Sequence, residues 1–240
     1  MARRLSCFYF LLATAISASE LKAVITRLEA KYRSPHTLQA AFLERYTENG
    51  RPVRVEAGTV YFRRPGKMRW EYESPEKNLF LVDGKTAWFY VPADHTVTRV
   101  PAKESSDWRT PLALLAGEMK ISRVCGDVRF AEREAPESSS NAMLYCQLRG
   151  ADSKRSARDP SNREQKLSEA GEAVYFEVVR ASGDLSRVLV KDAGGVTIEF
   201  RFSNWLSDPP VNDSLFRFAV PPGVAIVNGE LPPGQNAVKP

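Results

Sequence analysis

Apolar residues recur at helical intervals over residues 20–32, where Leu21, Val24, Ile25, Leu28 and Tyr32 fall on one face and Lys22, Arg27, Glu29 and Lys31 on the other. That spacing predicts one amphipathic helix, and Ser34-Pro35 stops it. From there the period drops to two. Leu38, Ala40 and Phe42 alternate with Gln39, Ala41 and Leu43, and Met68, Trp70 and Tyr72 alternate with Lys67, Arg69 and Glu71, the pattern of half-buried strands. Turn-forming strings divide the strands at short range: Arg64-Pro65-Gly66, then Asp83-Gly84 between 79–82 and 86–91, then Pro92-Ala93-Asp94 before 96–100. Strands joined in this way make an antiparallel meander. The short run 79–82 is apolar at every position, so its periodicity does not say which side chains point inward.

A second helical piece interrupts the strands at 110–116, where Thr110 can cap, Pro111 suits the first helical position, and Leu112 to Ala116 are apolar up to Gly117. Strands are expected again at 121–130 and 142–148. Residues 150–171 hold Leu167 and alanines among charged and small polar residues and read as an exposed, mobile loop, with a short solvated helix at 163–170 as the alternative. Strands at 173–180, 185–191, 196–202 and 215–220 follow, separated by Ser182-Gly183-Asp184 and Gly194-Gly195, for about ten in all. The segment 231–240 carries three prolines and little to bury, and reads as a loosely held tail.

Composition narrows the setting. The chain has 240 residues, 43% hydrophobic and 26% charged, which fits one globular domain. Its start combines Arg3 and Arg4, an apolar run over 5–16 and small residues at 17–19, the layout of a secretory signal peptide over 1–19 with cleavage near Ala18 or Ser19. The apolar run is short of the ~20 residues that a spanning helix needs. Cys7 has no apolar run before it and does not read as a lipidation site. The formal net charge of +5 would fall to about +3 on cleavage, and basic residues are interleaved with acids, so nucleic-acid binding is not expected. Two cysteines then remain, Cys125 and Cys146, either bridged in an oxidising compartment or buried as free thiols.

Catalytic and metal motifs are not legible. His36 and His95 are the only histidines, neither sits in a triad-like context, and the cysteines and histidines make no ligand spacing. No phosphate-cradling glycine loop is present; an enzyme and a cofactor are therefore not expected. The aromatic residues crowd between 61 and 90, at Tyr61, Phe62, Trp70, Tyr72, Phe80, Trp88, Phe89 and Tyr90. They form either an ordinary aromatic core or one apolar face of a curved sheet left to receive a greasy ligand.

Specific strings bear on that choice. The run from Gly58 to Tyr72, with Arg63-Arg64-Pro65-Gly66-Lys67-Met68-Arg69-Trp70 at its centre, and the run Asp83-Gly84-Lys85-Thr86-Ala87-Trp88-Phe89-Tyr90 together resemble the outer-membrane lipoprotein carrier family, LolA. Residues 110–115 resemble that family's lid helix, and 216–224 its closing strand. The resemblance implies a mainly β fold: an incomplete, half-open antiparallel β-barrel with an N-terminal amphipathic helix and a short lid helix over its concave apolar face. It implies cavity walls from Phe42, Met68, Trp70, Tyr72, Phe80, Trp88, Leu112 and Leu115, with the position of Met68 also in the region that meets the exporter. Arg64, by itself an exposed turn arginine, takes from the resemblance the role of holding the lid shut through lid backbone carbonyls, expected at the end of the 110–116 helix.

The implied protein is a monomeric periplasmic carrier of residues 20–230. It binds the acyl chains of lipoproteins and moves them from an inner-membrane ABC exporter to an outer-membrane receptor. Two features depart from the family pattern: the 150–171 segment, which looks like an insertion, and the cysteine pair. The receptor of the same fold would need a cysteine just after the signal, where this chain has Glu20 and Leu21. A carrier of free lipid or glycolipid, and a sensor of lipidated ligand, remain alternatives; a lipid-modifying enzyme would need the catalytic constellation that is not legible.

Overall fold

The structure is a computed structural model that describes residues 6–103, 112–117, 120–149, 173–192 and 194–229, with backbone alone for 6–17, 113 and 114. The expected loop at 150–171, the tail at 231–240 and the Thr110-Pro111 cap lie outside the described residues. Helix α1 (Ser6–Arg33) extends the predicted amphipathic segment toward the N-terminus. No helix among the described residues is long and apolar enough to cross a membrane.

Strands β1 (Thr37–Glu48), β2 (Arg51–Arg63), β3 (Lys67–Ser74), β4 (Leu79–Val82), β5 (Thr86–Val91) and β6 (Thr96–Pro101) follow α1 as a meander. Two one-turn helices come next, α2 (Ala113–Ala116) and α3 (Ile121–Val124), then β7 (Cys125–Phe130), β8 (Asn141–Leu148), β9 (Ala173–Val179), β10 (Leu185–Lys191), β11 (Val196–Ser207) and β12 (Ala225–Asn228). The described residues form one 12-stranded sheet in the order β12-β6-β5-β4-β3-β2-β1-β11-β10-β9-β8-β7. Its two ends do not pair, so the barrel stays half open. Every neighbouring pair is antiparallel except β12 with β6.

Local chemistry explains where the prediction and the structure part. Strand β2 was not predicted over 51–57, yet Asn49 and Gly50 both have positive φ (48° and 77°) and close a tight hairpin from β1 into β2, as an Asn-Gly pair favours. Residues 121–124, expected as strand, form α3: Ile121 turns into the core while Ser122 and Arg123 stay exposed. The expected strand at 215–220 is also absent. The Asn212 side chain accepts from the Ser214 backbone N–H at 3.0 Å and starts a 3-10 turn over Asp213–Phe216, which buries Phe216; pairing resumes only at β12.

The sheet's outer face carries its own order between β8 and β11. The β7–β8 connection folds back over it, and Glu177, although buried, accepts from Glu137 N (2.9 Å), Asn141 Nδ2 (2.8 Å) and Arg187 Nε (2.7 Å). At the sheet edge Cys125 and Cys146 are disulfide-bonded with Cα atoms 5.4 Å apart, joining the first residue of β7 to β8. The bridge closes a 21-residue separation, so Cys125→Ala combined with Cys146→Ala is expected to lower stability by about 3 kcal/mol. Thermal unfolding measures this. An unchanged midpoint would show that the β7–β8 ladder holds the edge alone.

Candidate functional site

The inward phase of the strands assembles one apolar face. Met68 pairs with Val82 and Trp70 with Phe80 across β3 and β4, while Phe42 sits opposite Phe202 across β1 and β11. Phe42 meets Trp70 and Tyr72 edge to face at 4.8 and 5.1 Å, and Trp70 lies tilted against Phe200 at 5.3 Å. Val24, Leu28 and Tyr32 of α1 close over this face, as do Leu112, Leu115, Ala116 and Ile121 of the segment that bears α2 and α3. Seven of the eight predicted cavity residues, Phe42, Met68, Trp70, Tyr72, Phe80, Leu112 and Leu115, therefore lie in one buried cluster. Among the described residues, side chains of the sheet and of the helices pack in this one cluster.

Trp88 is the exception. Ala87 packs inward with Val82 as its partner, and strand alternation then turns Trp88 to the outer face opposite Leu81. There it packs at 5.3 Å, tilted, against Phe218, and its Nε1 donates to Asp83 Oδ2 at 3.2 Å. Phe80 and Val82 face inward, whereas Leu81 is buried on the other side, which answers what the periodicity of 79–82 left open.

Arg64 holds a helix end, but not the one expected. Its guanidinium donates to the backbone carbonyls of Tyr32 and Arg33, the last two residues of α1. The chain leaves α1 and returns past the β2–β3 turn, where Arg64 N donates to His36 O at 3.0 Å, so the C-terminus of α1 is the nearer source of unpaired carbonyls. The end of α2 is held by backbone instead: Gly66 N, in the same turn, donates to Ala116 O at 2.8 Å. Burial pulls the Arg64 guanidinium below its usual range, opposed by Asp208 and reinforced by Arg33.

Further contacts of three side chains, Glu29, Asp208 and Tyr32, complete the closure, and the sequence singled out none of these contacts. Glu29 of α1 accepts from the Ile121 N–H at the start of α3 (3.0 Å) and pairs with Arg33 (3.0 Å). Asp208 accepts from the His36 and Thr37 N–H groups at 2.7 and 3.0 Å, fixing the chain as it enters β1. Tyr32 accepts the Leu185 N–H on its hydroxyl at 2.8 Å, and burial pushes that phenol well above its usual value, so it stays protonated. Helix α1 also rests on the β9–β10 turn so closely that a Cβ on Gly183 (φ 77°) would come within 2.6 Å of the Arg27 carbonyl oxygen. The turn at 64–66 thus touches the ends of both helical covers, and α1 ties to α3.

The apolar face ends in charge. Glu44, two residues beyond Phe42 on the same side of β1, is buried and accepts from the Tyr72 hydroxyl at 2.7 Å. Extending the Leu38, Ala40, Phe42 phase by one step would have placed Glu44 inside, so this residue was legible and was missed.

The arrangement offers a continuous apolar surface, covers held by hydrogen bonds at their ends, and a polar border. Comparison with known proteins agrees with it. The family pattern of the outer membrane lipoprotein carrier protein LolA matches residues 33–135. An outer-membrane lipoprotein carrier protein of Nitrosomonas europaea is 29% identical over 224 residues, covering 90% of this chain and 93% of that one. Another, from Dechloromonas aromatica, is 27% identical over 207 residues and covers 85% and 86%. Among solved structures, an uncharacterised conserved protein from Thermus thermophilus superposes with a TM-score of 0.50 at 15% identity, covering 87% of this chain and 98% of that one, a likeness of fold alone. By the pattern of residues 33–135 and by matches that run along most of its length, the chain is similar to the outer-membrane lipoprotein carrier proteins of the LolA family.

Proposed function

We propose that the protein is a periplasmic carrier that shelters the acyl chains of lipoproteins against its concave apolar face and delivers them toward the outer membrane. The observation that carries this reading is the closed apolar face itself, roofed by α1 and the short α2 and α3. A ligand that displaces the roof gains about 0.8 kcal/mol for each methylene it buries, so ten methylenes offer roughly 8 kcal/mol, enough for micromolar binding. Closing the empty face competes with filling it, which makes release feasible. No covalent chemistry is needed, and the reading assigns the protein no enzymatic step and no cofactor.

In this reading residues 1–19 are a signal peptide removed on export, and a monomer of 20–230 does the carrying. It loads at an inner-membrane ABC exporter, with Met68 at the contact, and unloads at an outer-membrane receptor. Arg64 governs the closed state by way of α1. The test uses inner-membrane vesicles that hold a triacylated lipoprotein and its exporter, to which the purified protein and ATP are added. The expected result is a soluble one-to-one complex with the lipoprotein. Lipoprotein that stays bound to the vesicles, with free lipid recovered on the protein, would favour a lipid carrier instead.

A further inference from the structure

We infer that acyl chains reach the concave face between α1 and the short helices α2 and α3, and that Tyr32, Trp205 and the β9–β10 turn are the hinge on which α1 moves aside to admit them. The inference rests on the carrier reading. Helix α1 has neighbours of two kinds. Arg27 and Lys31, one turn apart, point to the β9–β10 turn, which belongs to the sheet. Glu29, halfway between them in sequence, points the other way, to α3.

The contact with the turn is an interlock. Arg27 donates to Arg180 O at 3.2 Å, Lys31 pairs with Asp184 at 3.0 Å, and Gly183 lies so close under the helix that a side chain would strike the Arg27 carbonyl. Leu185 is held at both of its backbone polar groups: its N–H donates to the Tyr32 hydroxyl at 2.8 Å, and its carbonyl accepts from Trp205 Nε1 at 2.9 Å. The Tyr32 and Trp205 rings meet edge to face at 5.0 Å. Trp205 faces inward because β11 bulges. Counting from the inward Phe202, strict alternation would send Trp205 outward; Asn204, with φ 55°, and the register shift opposite Gln39 and Ala41 turn it toward α1 instead.

The other side yields more readily. Glu29 accepts the Ile121 N–H at 3.0 Å, but that N–H opens α3, a helix of four residues, and a single turn has little stability of its own. Helix α2 is equally short, and Ala116 at its end is held by Gly66 from the turn that carries Arg64. Contacts to a marginal segment open at lower cost than contacts to a paired hairpin. Glu29 and Arg64 therefore hold the edge of α1 that parts, and the β9–β10 turn holds the edge that stays, so α1 can uncover the apolar face without leaving the sheet.

The N–H groups of Ile121 and Leu185 report the two edges, because each donates to a side chain of α1. Their hydrogen exchange is followed by NMR in the purified protein, empty and then saturated with a tripalmitoylated cysteinyl-serine peptide whose binding is read by titration calorimetry. Loading should speed exchange at Ile121 at least about tenfold and change exchange at Leu185 by less than about twofold. Trp205→Phe keeps a ring but loses the bond to Leu185, so in that variant loading should speed Leu185 at least about threefold while Ile121 behaves as in the parent. Acceleration at Leu185 in the parent, or none at Ile121, would overturn the entrance and the hinge. A Trp205→Phe protein whose Leu185 stays as protected as in the parent would overturn the role of Trp205. A peptide that the parent does not bind at all would overturn the carrier reading and the inference with it.

Discussion

Replacing Arg64 with leucine is expected to leave a folded protein that takes up lipoprotein more tightly and hands it over about tenfold less readily. The side chain makes two charge-assisted hydrogen bonds to the carbonyls that end α1, and bonds of this kind contribute about 1.5–3 kcal/mol each. Leucine can make neither. The closed, empty form would lose that stabilisation, while a form with acyl chains on the concave face and α1 displaced would lose little. The equilibrium therefore shifts toward the filled state. Transfer from purified, loaded carrier to receptor measures the effect. A variant that releases cargo like the parent would show that Gly66 on Ala116 and Glu29 on Ile121 keep the roof closed without Arg64.

The largest loss of stability is expected at Trp70. It is 0% exposed and its ring meets Phe42, Phe62, Phe200 and Phe202, which brings β1, β2, β3 and β11 into one packing unit. Trp70→Ala is expected to cost about 3–5 kcal/mol by urea unfolding, because the ring's contacts vanish and the neighbouring rings are too large to collapse into the space. Trp88→Ala, on the outer face, should cost markedly less. Equal losses at the two positions would contradict the assignment of Trp70 to the core centre and of Trp88 to the periphery.

Much of this architecture was legible in the pattern of residues. The alternation through Met68, Trp70 and Tyr72, and the turn strings after Arg63 and Val82, correspond to β3, β4 and β5 at their observed places. Where reading by pattern missed, a competing local interaction accounts for it. The side-chain cap from Asn212 overrode the extended propensity of 215–220. Residues 121–124 lack any alternation signal that would separate one helical turn from the strand that follows.

The candidate site divides along the same line. Side chains on regular strands could be assigned a face once one neighbour was fixed, whereas Trp88, placed inward by the resemblance, is out of phase with the inward Ala87. Contacts that join distant segments carry no local mark. Nothing near Glu29 points to Ile121, nothing near Asp208 points to His36, and Arg64 is equidistant in pattern from either helix end; three-dimensional proximity alone selects α1. The disulfide lies between these cases, since an even pair of cysteines raises the question and the neighbouring positions of β7 and β8 settle it in the structure.

The central claim is that acyl chains lie on the concave face, and it is tested most directly by placing a photo-activatable phenylalanine analogue at Phe42 or, separately, at Trp88 in cells and irradiating them. Phe42 is in the apolar cluster and Trp88 packs against Phe218 outside it. The account predicts that the probe at Phe42 crosslinks to acylated lipoprotein and the probe at Trp88 does not. Crosslinks from Trp88 with none from Phe42 would contradict it.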